Sequence, residues 1–224
     1  MICPNCGKQI PDWSKFCPYC GTSIPLSMLI GEHIGNDEAK KHNDLGVSYY
    51  HSGNFEESEK EYREAIRINP DYAVAHNNLG NLLADLQRYT EAEKEYREAI
   101  KINPNLAEAH YNLGLLFYYL QQYTEAEKEY REAIRINPNY AEAHGNLGIL
   151  LANLKRYDEA EKELREVIRI NPNLAEAHYN LGLLLKDLQR YYEAEKEILK
   201  ARELFEKQGK IENVIICDEI LKDF

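Results

Sequence analysis

Positive charge is what this sequence most lacks. Lysine and arginine number 27 against 38 aspartates and glutamates, and the formal net charge is −11. A field of that sign repels phosphate backbones and anionic lipid surfaces, so nucleic acid and membrane are poor partners. Long apolar runs are missing too. The early patch Leu26 to Ile30 is interrupted by Ser27 and falls far short of the ~20 residues a membrane span requires. The chain opens on Met1-Ile2-Cys3-Pro4 with no basic stretch leading into an apolar one, so no secretory leader is expected and the expected compartment is the cytoplasm. A glycine-rich phosphate loop, Gly-x-Ser-x-Gly and His-Glu-x-x-His are all absent. Carboxylates are plentiful, but they recur at fixed intervals beside lysine or arginine, which is the habit of a solvated helix face. The chain is therefore expected not to be an enzyme.

Cysteine is scarce and unevenly placed: of five, four fall within the first 20 residues. An odd number, clustered, without a leader, argues against a disulfide framework. The order is Cys3-Pro4-Asn5-Cys6-Gly7, ten residues, then Cys17-Pro18-Tyr19-Cys20-Gly21. Two C-x2-C turns aim four thiolates at one centre, the donor set of a tetrahedral zinc ion with bonds of ~2.3 Å. One structural Zn2+ on Cys3, Cys6, Cys17 and Cys20 is expected, with iron as the other metal that paired C-P-x-C-G turns accommodate. Four protein ligands leave no open position for catalysis. About 24 residues cannot build a sufficient core, so the metal must supply the folding energy. The segment resembles the short zinc ribbons at the N-termini of many archaeal and bacterial proteins. Its loops offer Lys8 and Lys15 against Asp12, little for nucleic acid, while Trp13 and Tyr19 could form a docking surface.

The rest of the chain repeats itself. Ala73–Leu106 recurs at Ala107–Tyr140, Ala141–Leu174 and Ala175–Gln208, each copy 34 residues after the last, and a weaker copy is Ala39–Tyr72. The pairs Leu45-Gly46, Leu79-Gly80, Leu113-Gly114, Leu147-Gly148 and Leu181-Gly182 keep the period. Within a copy, Leu113, Leu116, Phe117 and Leu120 fall at helical spacing. A polar turn at Gln121-Gln122 follows, then a second helix over 124–136 with Ala126, Tyr130, Ala133 and Ile134 on its apolar side. Asn137 before Pro138 ends that helix. Gly114, Ala126 and Ala133 sit where helices must approach closely. No copy can bury its apolar side alone, so the copies must stack.

These positions resemble the tetratricopeptide repeat, whose pattern is W-x2-L-G-x2-Y, then A-x3-F, then P. The third copy matches at Leu113, Gly114, Phe117, Ala126, Tyr130 and Pro138, while histidine replaces the tryptophan in every copy: His42, His76, His110, His144 and His178. Those histidines are expected to pack in the tryptophan site rather than to bind metal. The resemblance implies an all-α, right-handed α-solenoid of five helix-turn-helix repeats. The expected division is a zinc ribbon at 1–24, a linker at 25–38 and repeats at 39–208, closed by a capping helix at 209–224. In the linker, Leu26, Met28, Leu29 and Ile30 could dock on the first repeat, and Asn36 or Asp37 would cap its first helix. In the capping helix, Ile211, Val214, Ile215 and Leu221 would share the packed side, and Cys217 would be a buried small residue.

The resemblance further implies that first helices line a groove that meets a peptide. Carried over by position, the groove residues are Asn77, Asn78, Asn81, Tyr111, Asn112, Leu115, Tyr118, Asn146, Tyr179, Asn180 and Lys186, with Leu183 beside them and Glu108, Glu142 and Glu176 along one rim. The first copy departs with Asp44. A side-chain amide both donates and accepts, so a row of asparagines can pair with an extended backbone. The expected function is an adapter for a protein or peptide partner; the alternative is a regulatory, transcription-associated factor whose ribbon contacts nucleic acid. Near-identical repeats also permit end-to-end self-association.

Overall fold

The structure is a computed structural model that describes residues 2–9, 16–23 and 26–224, with backbone alone for 26–35. Among these residues the regular structure is helical, apart from two isolated β-bridges near the N-terminus. The chain divides into two compact units, 1–104 and 105–224. The first holds the cysteine segment and α1 (Leu26–His51), α2 (Phe55–Ile68), α3 (Ala73–Asp85) and α4 (Tyr89–Ile102). The second holds α5 (Ala107–Tyr119), α6 (Tyr123–Ile136), α7 (Ala141–Asn153), α8 (Tyr157–Ile170), α9 (Ala175–Asp187), α10 (Tyr191–Lys207) and α11 (Ile211–Leu221).

Each repeat is a helical hairpin, and within each unit its two helices pack more extensively on each other than on the next repeat. In the second unit α5 touches α7 and α7 touches α9, so the first helices form one layer and the second helices another. The hairpin is tight because a glycine lets the helices meet. A Cβ on Gly114 would stand 2.8 Å from the Tyr130 ring and 3.3 Å from the Ala126 carbonyl oxygen. Leu113, Leu116, Phe117 and Tyr130 are buried around that contact, each contributing about 1.5–3 kcal/mol by leaving water.

The connections follow from local chemistry. After α6, Asn137 is extended at φ −124°, ψ 93°, as a residue before proline must be. Its side-chain oxygen accepts from the Asn139 N–H at 3.1 Å, and Asn69 and Asn171 do the same for Asp71 and Asn173. The turn inside the last four repeat hairpins puts Gln87, Gln121, Lys155 and Gln189 at φ of 58–60°, and that of the first has Gly53 at 78°.

Two expectations are corrected. The segment 25–38 is not a linker: α1 is continuous from Leu26 to His51. Pro25 precedes the helix, where proline is harmless, and Gly31 and Gly35 weaken a helix without forbidding it. Asn36 and Asp37 therefore lie inside α1 and cap nothing. In α11, Val214 and Cys217 are buried with Leu221 packed against them, whereas Ile211 and Ile215 are 61% and 53% exposed. The i, i+3, i+7 spacing of Val214, Cys217 and Leu221 turns those isoleucines outward. Cys217 is the small buried residue expected. Trp13, Lys15 and Asp12 lie outside the described residues, as do the side chains of Leu26, Met28, Leu29 and Ile30.

Candidate functional site

The cysteine segment folds as two matching turns. Bridges join Ile2 to Gln9 and Phe16 to Ser23. The Gly7 and Gly21 N–H groups donate to the carbonyls of Cys3 and Cys17 at 3.0 and 2.9 Å. Both glycines have φ near +70°, a conformation that would strain a residue with a side chain. The turns bring all four sulfurs within 4.8 Å of one another, with Cys3–Cys20 and Cys6–Cys17 each 3.6 Å apart. Four sulfurs at ~2.3 Å from one ion in a tetrahedron would be about 3.8 Å apart, so the donor set fits zinc. Cys3 and Cys17 are buried, Cys6 and Cys20 exposed. The Thr22 hydroxyl lies 3.2 Å from the Cys20 sulfur and accepts from Asn5 at 3.0 Å, a tie that holds the second turn against the first. Lys8 covers the Tyr19 ring at 4.6 Å.

The proposed groove residues lie on first helices, and most are engaged with one another. In the first unit Asn78 donates to Asn43 at 2.9 Å and Tyr96 donates to Asn81 at 2.8 Å. Asn77 is buried and Tyr50 donates to Asp85. In the second unit Asn146 donates to the Tyr111 hydroxyl and Asn153 to the Tyr118 hydroxyl, both at 3.0 Å and both linking a first helix to the next. Asn112 and Asn180 are half-buried on α5 and α9, and Leu115 is 43% exposed. Tyr179 packs against the cluster that seats α11. Lys186 pairs with Asp223 at 2.7 Å and lies over the Phe224 ring. Of the three rim glutamates, Glu176 pairs with Lys210 at 2.6 Å.

The repeated histidines do more than fill the tryptophan site. Each Nδ1 meets a glutamate 19 residues on: His42–Glu61 at 2.5 Å, His76–Glu95 and His110–Glu129 at 2.7 Å, His144–Glu163 and His178–Glu197 at 2.6 Å. The Nε2 of His76, His144 and His178 faces the carbonyl of Pro70, Pro138 and Pro172 at 3.1, 3.2 and 3.1 Å. Two acceptors on one ring select the doubly protonated form. For His76 and His144 burial opposes that charge, but the glutamate and the carbonyl outweigh it and raise the pKa. For His178 the hydrogen bond to Glu197 is the main cause of the rise. The period of the histidines was visible in the sequence, and so was that of the glutamates; only the fold showed that they meet.

A ladder of charges runs along the second helices. Arg156 bridges Glu127 and Glu159 at 2.6 and 2.7 Å, Arg190 bridges Glu161 and Glu193 at the same distances, and Arg88 joins Glu59 and Glu91 at 2.7 Å. These arginines are more than a third exposed, so each bridge contributes little to stability and mainly fixes how neighbouring hairpins sit.

Comparison with known proteins agrees with both parts. Family models described as TPR repeat and tetratricopeptide repeat match residues 46–87, 80–121, 111–175 and 175–208, and a zinc-ribbon domain model matches 2–24. Among solved structures, MamA is 25% identical with a TM-score of 0.67, over 74% of this chain and 97% of that one. PilF of Pseudomonas aeruginosa is 24% identical, TM-score 0.68, over 84% and 93%. YrrB, titled a TPR protein with an unusual peptide-binding site, is 22% identical, TM-score 0.64, over 88% and 98%. A stretch of 25 residues is 64% identical to part of the serine/threonine-protein kinase VRK3 of Bos taurus, spanning 11% of this chain and 6% of that protein.

Proposed function

Because the chain belongs to the tetratricopeptide repeat family and carries an N-terminal zinc-ribbon domain, we propose that it is a non-catalytic adapter that holds a protein or peptide segment against the first helices of its repeats. The observation that carries this reading is the cross-linking of polar side chains from one first helix to the next, Asn78 to Asn43 in the first unit and Asn146 to Tyr111 in the second. Partly exposed amides and phenols held by such bonds are preorganised, so a partner orders little on binding. YrrB is a TPR protein with an unusual peptide-binding site, and its likeness to this chain is one of fold. The working division is a ribbon at 1–24, repeats at 39–208 and a cap at 209–224, with the ribbon folded by one structural zinc ion.

The test is affinity capture from native lysate, comparing the wild-type chain with one carrying Asn78→Ala, Asn112→Ala and Asn146→Ala. Circular dichroism confirms that the variant is folded. A partner held by the first and lost by the second supports the reading. A partner retained equally by both places the interaction on another surface and overturns it.

A further inference from the structure

One spot of the second unit brings together two tyrosines that no other copy combines. Tyr111 on α5 and Tyr140, the residue before α7, bring their rings to a centroid distance of 5.0 Å. The equivalents of Tyr140 are Tyr72, Leu106 and Leu174, set against Asn43, Asn77 and Gly145 where this copy has Tyr111, so the aromatic pair does not recur there. Glu108 and Glu142, in the first turns of α5 and α7, are exposed beside it. Burial raises the Tyr140 pKa, and the charges of Glu108 and Glu142 raise it further; burial and then Glu142 do the same to Tyr111. Both carboxylates thus act on the aromatic pair, and among the described residues neither has a cation, whereas the equivalent Glu176 has Lys210.

First-turn glutamates also complement a helix dipole, which accounts for their place in the helix but not for the aromatic pair. One further feature bears on that spot. Beneath Tyr111, at a ring distance of 6.0 Å, the fully buried Tyr130 holds a hydroxyl with no hydrogen-bond partner.

We infer that Tyr111, Tyr140, Glu108 and Glu142 form a subsite for one arginine side chain of a bound peptide. This rests on the adapter reading and names the chemistry it selects. A planar guanidinium stacks on a phenol ring and presents N–H pairs to carboxylates on either side, which an ammonium cannot do. The net charge of −11 draws basic segments toward the chain, and the subsite decides where one is held.

The test uses the full, zinc-loaded chain and a single capped residue, N-acetyl-arginine methylamide, titrated while the tyrosine ring signals are followed by NMR. Tyr111 and Tyr140 are assigned through Tyr→Phe variants. Saturable shifts confined to those two rings are expected, with capped lysine weaker and capped citrulline, the neutral isostere, inactive. The pair Glu108→Gln and Glu142→Gln should weaken binding about five- to tenfold. Tyr140→Leu, leucine being the residue at the equivalent positions 106 and 174, should abolish the shift at Tyr111 without loss of helicity. Removing the same charge elsewhere, at the exposed Glu195 and Glu212, should leave them intact. Equal weakening by that control, equal binding of citrulline or lysine, or shifts that fail to saturate overturns the subsite. The capture experiment tests the adapter reading without arginine, so the two fail independently.

Discussion

Replacing Glu163 by glutamine removes one charge from a buried pair and keeps its shape. His144 and Glu163 are 6% and 9% exposed, 2.6 Å apart through Nδ1 and Oε2, while Nε2 faces the Pro138 carbonyl at 3.2 Å. A hydrogen bond to a charged group is worth about 1.5–3 kcal/mol net, so Glu163→Gln should destabilise the fold by about 2 kcal/mol where the imidazolium exists. The raised pKa of His144 fixes the direction of the pH dependence. A histidine whose folded pKa exceeds its unfolded one contributes stability that is full below the unfolded value, near 6.5, and is lost as pH rises through the folded value. The deficit of the variant should therefore be largest near about pH 5.5 and shrink toward about pH 9, where a neutral ring donates to either side chain. Urea unfolding of both chains at the two pH values reads the deficit, and histidine NMR titration reads the pKa directly. A deficit unchanged between the two, or an imidazole titrating below its ordinary value in the wild type, would refute the charged-pair account.

Other expectations follow from single contacts. Gly114→Ala forces a methyl to 2.8 Å from the Tyr130 ring and should cost about 1–3 kcal/mol in thermal or urea unfolding. Leu115→Asn should supply Tyr130 with the acceptor that Asn81 gives Tyr96, raising stability by about 1 kcal/mol; no gain would mean that the hydroxyl is already satisfied by water. Lys155→Gly, at φ 60°, should be neutral or stabilising by up to about 1 kcal/mol, where the same change in mid-helix would destabilise. Elemental analysis should find one zinc per chain; a strong chelator should remove it with little loss of helical circular dichroism, because the sulfurs lie outside the helices.

How much of this was legible beforehand depends on the range of the interaction. The 34-residue period places every hairpin from Ala73 on, because Leu-Gly, the asparagine before proline and the apolar spacing act within one turn or between helices joined by a short loop. The cysteine turns were legible for the same reason: C-x2-C-G is a local device, and two copies close one site. Where the period lapses, the reading failed. Residues 25–38 have glycines and a proline but no repeat, and composition alone suggested a linker where the backbone is helical from Leu26. In α11 four apolar residues were compatible with more than one packed face, and only contact with α10 selected Val214, Cys217 and Leu221.

The binding face was legible as a set of positions and illegible as a set of bonds. Position told that Asn78, Asn146 and Tyr111 share the first helices. It could not tell that Asn146 spends its amide on Tyr111, or that Lys186 is held by Asp223, since those partners are 35 and 37 residues apart. Departures from the consensus then become the informative residues, because the consensus accounts for the hairpin and leaves only the deviations to account for the ligand. Tyrosine stands at each of two positions in one other copy, as Tyr179 and Tyr72, but only Tyr111 and Tyr140 coincide. Tyr140 brings a second ring to the one on α5. Packing accounts for the ring pair but not for the two carboxylates next to it, which have no cation among the described residues. A repeat optimised only to stack would set a cation against these carboxylates, as Lys210 stands against Glu176. That this one does not is the physical reason to look for its ligand between α5 and α7.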